Sequence, residues 1–197
     1  MLREGDCWLL AVADSHLGQY AGHQLLTEMS LRWSCVPSHL GQLSLMLSTF
    51  EWPIEPSGGG TTLLVAVLNR ASGEVFGLSY GDSSLLTVSR DAVVLRNRVN
   101  DQFLAQGVPL RIEQAEVFRF VLARDESLLL YTDGVNECCY RDPHRSIQAR
   151  HLLEVFQKSD GGARLLALTE LALSGVEGQP GGQDNIAAIL VGPLESD

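Results

Sequence analysis

Between Thr61 and Leu95 the chain offers four strand-like runs joined by turns too short to hold a helix. The runs are Thr61–Asn69 (TTLLVAVLN), Glu74–Tyr80 (EVFGLSY), Ser84–Ser89 and Ala92–Leu95, and Gly, Asp and Ser dominate the turns between them. Strands joined this tightly must run antiparallel, so an antiparallel meander is predicted. Glu116–Leu122 and Ser127–Thr132 read as a further hairpin around Ala123–Glu126. Upstream, the apolar run Cys7–Ala13 reads as a buried strand ending at Asp14. Tyr20, Leu25, Leu26, Met29 and Trp33 recur at helical spacing within Gly18–Trp33, and a second helix is expected from about Ser38 to Phe50. Helical periodicity returns at Ser146–Gln157 and Ala163–Leu173, and a last strand closes the chain at Asn185–Val191.

Helices therefore come in pairs and strands in hairpins. That order excludes regular βαβ alternation and favours the α+β class. The predicted architecture is a four-layer α-β-β-α sandwich of two antiparallel sheets flanked by helix pairs. Residues 1–197 show no internal repeat and no linker long enough to divide two domains, so a single domain is expected.

Charge narrows the partners. The formal net charge is −10, and the 14 basic residues are scattered, which argues against nucleic acid. The longest apolar runs, such as Leu63–Leu68, are too short to span a bilayer, and Met1–Asp6 does not read as a signal peptide. None of the four cysteines (Cys7, Cys35, Cys138, Cys139) sits in a C-x-x-C pair, which fits a reduced, cytoplasmic protein and disfavours a zinc site.

Three aspartates occupy comparable places at strand edges. Asp14 follows Leu9–Ala13, Asp133 follows Leu128–Thr132, and Asp184 precedes Asn185–Val191. Strand edges of a sandwich can converge, and converged carboxylates repel unless a cation neutralises them. Oxygen-only ligands select hard ions such as Mg²⁺ or Mn²⁺. Taken singly, each aspartate reads first as an ordinary turn former.

The order of short motifs carries more. Val12-Ala13-Asp14-Ser15-His16-Leu17-Gly18 and Ala21-Gly22, then Gly59-Gly60-Thr61-Thr62, then Tyr80-Gly81-Asp82-Ser83, then Leu130-Tyr131-Thr132-Asp133-Gly134-Val135-Asn136-Glu137, then Gln183-Asp184-Asn185-Ile186 follow one another along nearly the whole chain. This series resembles the motifs of the metal-dependent serine/threonine protein phosphatases, the protein phosphatase 2C-like family. Leu129–Glu137 (LLYTDGVNE) is especially similar to its bacterial stage II sporulation E-type branch.

The resemblance implies hydrolysis of phosphoserine or phosphothreonine on a protein, with Asp14, Asp133 and Asp184 as catalytic carboxylates. Asp14 would bridge two ions, Mn²⁺ or Mg²⁺, and the Ser15 carbonyl would bind the second. Asp133 and Asp184 would hold the first, Glu137 would contribute to a weaker third, and Asn185 would orient Asp184. Thr61, Thr62, Asp82 and Ser83 match structural positions. The ions would activate a water for attack on phosphorus. The implied substrate is a phosphorylated protein, such as a small regulatory phosphoprotein in bacterial signalling. Ser15 and Leu17 stand where the family has glycine. Met1–Asp6 reads as a turn into Cys7–Ala13, so the family's first strand, with its acidic ligand, is expected to be missing and the second ion to be held weakly.

Other readings stay open. A non-catalytic relative that binds a regulatory partner or phosphoprotein fits Ser15 and Leu17. Gly77-Leu78-Ser79-Tyr80-Gly81 matches the G-x-S-x-G elbow of serine hydrolases, with Asp133, His144 and His151 downstream, although an elbow requires strand, turn, then helix. Glu137 is equally a solvated carboxylate, and His16 either a turn residue or a neighbour of the metal site. Trp8, Trp33 and Trp52 are expected in the core.

Overall fold

The computed structural model describes residues 1–16, 20–50, 59–105, 108, 110–139 and 141–194. The chain divides into two compact units, Met1–Ser83 with Asn97–Leu122, and Ser84–Arg96 with Ala123–Asp197. The described residues form an α+β fold of antiparallel sheets and four α-helices, the class expected.

The first unit is built on a five-stranded antiparallel sheet. Its strands are β1 (Leu2–Glu4), β2 (Cys7–Val12), β5 (Leu63–Asn69), β6 (Glu74–Tyr80) and β10 (Glu116–Val121), in that spatial order. Side chains alternate across a strand. On one face Leu63, Val65 and Val67 of β5 join Phe76, Leu78 and Tyr80 of β6. They pack with Leu25 and Met29 of α1 (Ala21–Arg32) and Leu43 and Leu47 of α2 (Leu40–Ser48). The intervening residues Leu64, Ala66 and Leu68 are also fully buried, which is why β5 reads as a continuous apolar run. A small three-stranded sheet, β3 (Ser15–His16), β4 (Gly60–Thr61) and β9 (Leu104–Ala105), completes the unit.

The second unit holds a four-stranded antiparallel sheet ordered β12 (Ala188–Val191), β11 (Ser127–Tyr131), β7 (Ser84–Val88) and β8 (Val93–Leu95). Leu86, Val88, Leu129 and Tyr131 pack with Leu152 and Phe156 of α3 (Ala149–Lys158) and Leu168 and Ala172 of α4 (Gly162–Ser174).

Three sequence expectations are corrected. Met1–Asp6 is more than a turn, because Leu2–Glu4 pairs with β2 across a two-residue turn in which Gly5 takes φ +56°. Glu4 is occupied there, its Oε2 accepting the Val36 N–H at 2.9 Å. The meander is broken: β6 pairs with β5 and β10, whereas β7 pairs with β8 and β11. The hairpin over 116–132 does not form, since β10 pairs with β6, and β11 with β7 and β12. A run of buried residues shows that a strand exists but not which strand lies beside it. Trp33 lies in the core as expected, Trp8 is half-buried beneath the guanidinium groups of Arg3 and Arg70, and Trp52 lies outside the described residues.

Tyr80 ties β6 to the chain before β10, donating its hydroxyl to the Arg111 carbonyl at 3.1 Å. It is 1% exposed, and burial, reinforced by the Glu113 carboxylate, pushes its phenol up to about 12. An unfolded tyrosine titrates near 10. The stabilisation from the retained proton is therefore complete below about pH 10 and is lost as pH rises towards 12, on the order of 2–3 kcal/mol. We expect Tyr80→Phe to be less stable than wild type by about 1 kcal/mol near neutral pH. The gap should close and reverse above about pH 11, where only the wild type loses this term, as urea denaturation at stepped pH would show.

Candidate metal centre

Asp14 leaves the end of β2 and is 8% exposed. Its backbone is held on both sides. Its N–H donates to Thr62 Oγ1 at 2.9 Å, and its C=O accepts the Thr61 hydroxyl at 2.6 Å and the Thr62 N–H at 2.9 Å. The Thr61-Thr62 pair that reads as structural in the sequence thus clamps the first candidate ligand.

Ser15 follows in β3, opposite Thr61. The flanking bond from Thr62 N–H to the Asp14 C=O makes Ser15 and Thr61 a non-hydrogen-bonded pair, so the Ser15 C=O points away from β4. The Ser15 hydroxyl has its own task, accepting the Gly22 N–H at 2.9 Å. Gly22 is in the first turn of α1, whose N-cap, Tyr20, makes no side-chain cap bond, so Ser15 satisfies a donor that would otherwise lack an intrahelical partner. The departure from glycine therefore has a local structural reason. Leu17, the other departure, lies outside the described residues, as does Gly18.

The second unit carries the remaining candidates. Asp133 directly follows Thr132 at the end of β11 and is 6% exposed. Thr132 extends the pairing with the chain before β12: its N–H donates to the Ala187 C=O and its hydroxyl accepts the Ala187 N–H, both at 3.0 Å. The Glu137 N–H donates to the Asp133 C=O at 2.6 Å, closing a helical turn that is rooted by buried Val135 and Cys138.

Gly134 sits where this turn meets the segment before β12. A Cβ at Gly134 would stand 2.1 Å from the Asn185 carbonyl oxygen and 3.4 Å from the Asp184 carbonyl carbon. Only a residue without a side chain lets the two backbones approach this closely. The turn that carries Asp133 and the segment that carries Asp184 therefore meet through their backbones. Asp184 is half-buried, and its Oδ1 accepts the Asn185 N–H at 2.7 Å, so Asn185 orients the carboxylate through its backbone. Glu137 is half-buried on the same turn as Asp133.

Asp14 and Ser15 belong to the first unit, and Asp133, Glu137 and Asp184 to the second. Among the described residues, no group of three or more His, Cys, Asp or Glu side chains stands close enough to hold a metal ion. The chemistry of the donors nonetheless suits a hard divalent cation: carboxylates and one outward-facing carbonyl, with no sulfur.

The serine hydrolase reading fails on position. Ser79 lies within β6, fully buried, and its Oγ accepts the Asn97 side-chain amide at 3.2 Å. After Gly81–Ser83 the chain enters β7, a strand rather than the helix that an elbow requires. His39 and His151 serve as helix caps, each accepting a backbone N–H at Nδ1, from Gln42 and Gln148. His16 is exposed and stacks on Phe103 at 4.5 Å between ring centroids.

Asn97 and Asn100 escaped the sequence reading. Each resembles an ordinary loop residue, yet Asn97 is buried and bonds Ser83 and Ser79, and Asn100 accepts the Gly81 N–H at Oδ1 and donates its own N–H to the Gly81 C=O.

The family profile of stage II sporulation protein E (SpoIIE) matches residues 39–192. The chain belongs to this family. No curated protein matches it by sequence. Its fold is that of the bacterial serine/threonine phosphatases. A bacterial serine phosphatase superposes with TM-score 0.69 at 17% identity, covering 96% of this chain and 87% of that one. The Mycobacterium tuberculosis serine/threonine phosphatase PstP/Ppp gives 0.66 at 18% identity, covering 100% and 95%. PppA of Pseudomonas aeruginosa, described as a key regulatory component of the T6SS, gives 0.66 at 21% identity, covering 92% and 84%.

Two substitutions test this local geometry. Ser15→Ala removes the acceptor for α1 and should lower stability by about 1 kcal/mol, measured by thermal denaturation. Gly134→Ala forces the Asp133 turn and the Asp184 segment apart, and should destabilise more, by about 1–3 kcal/mol, as an overpacked site does.

Proposed function

We propose that this SpoIIE-family chain is a metal-dependent phosphatase that hydrolyses phosphoserine or phosphothreonine on a protein substrate. The observation that carries the reading is the close approach of the Gly134 turn to Asp184–Asn185, which sets two carboxylate-bearing turns together. The ordered motifs and the phosphatase fold support it.

Asp133 and Asp184 would hold one divalent ion, Mn²⁺ or Mg²⁺. Asp14 and the Ser15 carbonyl would hold a second, weaker ion, and Glu137 would serve a third. Bound ions supply Lewis-acid charge that activates a water and neutralises the phosphoryl oxygens. The chain's own residues do the holding. Thr61 and Thr62 fix the Asp14 backbone, and the Asn185 N–H bonds the Asp184 carboxylate. Bare carboxylates at such a site would repel a phosphate until the ions neutralise them.

The net charge of −10 argues against nucleic acid as substrate. Among the described residues no helix is long and apolar enough to cross a membrane. We assign the chain to cytoplasmic bacterial signalling as a single phosphatase domain spanning residues 1–197, acting on a small regulatory phosphoprotein.

The test is phosphate release from a phosphoserine peptide across a Mn²⁺ titration. Wild type should be active at millimolar Mn²⁺ and silent in EDTA. Asp133→Asn and Asp184→Asn should each lose more than the about 10- to 100-fold typical of changing a residue that merely supports a ligand. Inactivity of the wild type at every Mn²⁺ and Mg²⁺ concentration would favour a module that binds a regulatory partner without catalysis. Labelling of Ser79 by a fluorophosphonate would overturn the phosphatase reading.

A further inference from the structure

A chain of buried polar contacts runs through the first unit and ends on the backbone of Asp14. It starts at Asn97, which is 4% exposed. Its side-chain amide donates to the Ser83 C=O at 3.0 Å and to Ser79 Oγ at 3.2 Å. These bonds pin the turn after β6 from one side, while Asn100 grips Gly81 through both its backbone N–H and its Oδ1. The pinned turn presents Ser83 Oγ to Thr62 Oγ1 at 2.8 Å. Thr62 Oγ1 in turn accepts the Asp14 N–H. Ser79, Ser83 and Thr62 are all fully buried, so no water substitutes for a lost link, and a broken one leaves a costly unsatisfied group.

The same stretch of chain returns to this motif a second time. Leu104 of β9 pairs with Thr61, which donates to the Asp14 C=O, and Phe103 stacks on His16, two residues beyond Asp14. Residues 97–105 therefore brace the Asp14–His16 segment both through the hydroxyl chain and through the small sheet.

We propose that Asn97 is a positioning residue for Asp14: through Ser83 and Thr62 it fixes the backbone from which the Asp14 carboxylate is presented to a cation. This rests on the reading of Asp14 as a metal ligand. An oxygen ligand set by a rigid backbone binds its ion without first paying for its own ordering, and groups that orient metal ligands typically contribute about 10- to 100-fold in affinity.

The test is Mn²⁺ binding to the full chain by titration calorimetry, for wild type, Asn97→Asp, Thr62→Val and the double variant. Asn97→Asp keeps the shape and removes the amide donor, and Thr62→Val keeps the shape and removes the hydroxyl. Each single change should weaken Mn²⁺ binding about tenfold, and the double should weaken it little further, because both break one chain. Amide hydrogen exchange at Asp14, which needs no metal, should speed up in Asn97→Asp. Ser83→Ala, which removes only the middle hydroxyl, serves if Asn97→Asp does not fold, and should show the same weakening. Unchanged Mn²⁺ affinity and unchanged Asp14 exchange, or fully additive losses, would overturn the positioning role while leaving the metal reading intact. A wild type that binds no Mn²⁺ would end both.

Discussion

The backbone of Asp14 is held by two buried threonine hydroxyls at the point where β2 leaves its sheet. Thr62 accepts its N–H and Thr61 donates to its C=O, so the chain on either side has one available course. The rest of the first unit follows from that clamp. Ser15 is directed into a short strand opposite Thr61, its hydroxyl caps α1, and α1 is thereby launched across the face formed by β5 and β6. Gly22 fits this crossing because even a methyl group there would lie 2.9 Å from the Thr61 hydroxyl oxygen. A buried hydroxyl that makes several bonds is rigid in a way that a surface one is not, since water cannot replace a partner that moves away.

The second unit meets the corresponding demand with a steric device. Gly134 allows the Asp133 turn to touch the Asp184–Asn185 backbone, and Val135 and Cys138 anchor the turn in the core formed with α3 and α4. Hydroxyl bonds position the first acidic residue, and an absent side chain positions the other two. Both devices place their residues by the backbone, which would suit the metal ligands proposed above.

How much of this was legible depends on the kind of signal. The strands and helices were readable because each has an apolar pattern of its own, a continuous run in Leu63–Asn69 and helical spacing in Leu25, Met29 and Trp33. Their partners were not. β6 and β7 are separated by only three residues, yet they pair in different sheets, because the turn at Gly81–Ser83 is fastened by Asn97 and Asn100 instead of closing a hairpin. β10 and β11 likewise pair in different sheets. Among the candidate site residues, Asp14, Asp133 and Asp184 were visible through ordered motifs. Asn97 was not, since an asparagine between two arginines carries no pattern, and its importance comes entirely from being buried against Ser79 and Ser83. Ser79 shows the reverse case, a motif whose residues match while its strand-to-strand setting removes the chemistry.

By itself, the sequence determined the α+β class and the family, and it singled out the candidate acidic residues, because local apolar patterns and short motifs survive without knowledge of neighbours. Tertiary structure alone decided which strands pair, why a serine stands beside Asp14, why Gly134 has no side chain, and which buried amide supports the first motif. Each of those is a property of two segments far apart in the chain, and a hydrogen bond or a steric contact between them has no trace in either segment alone.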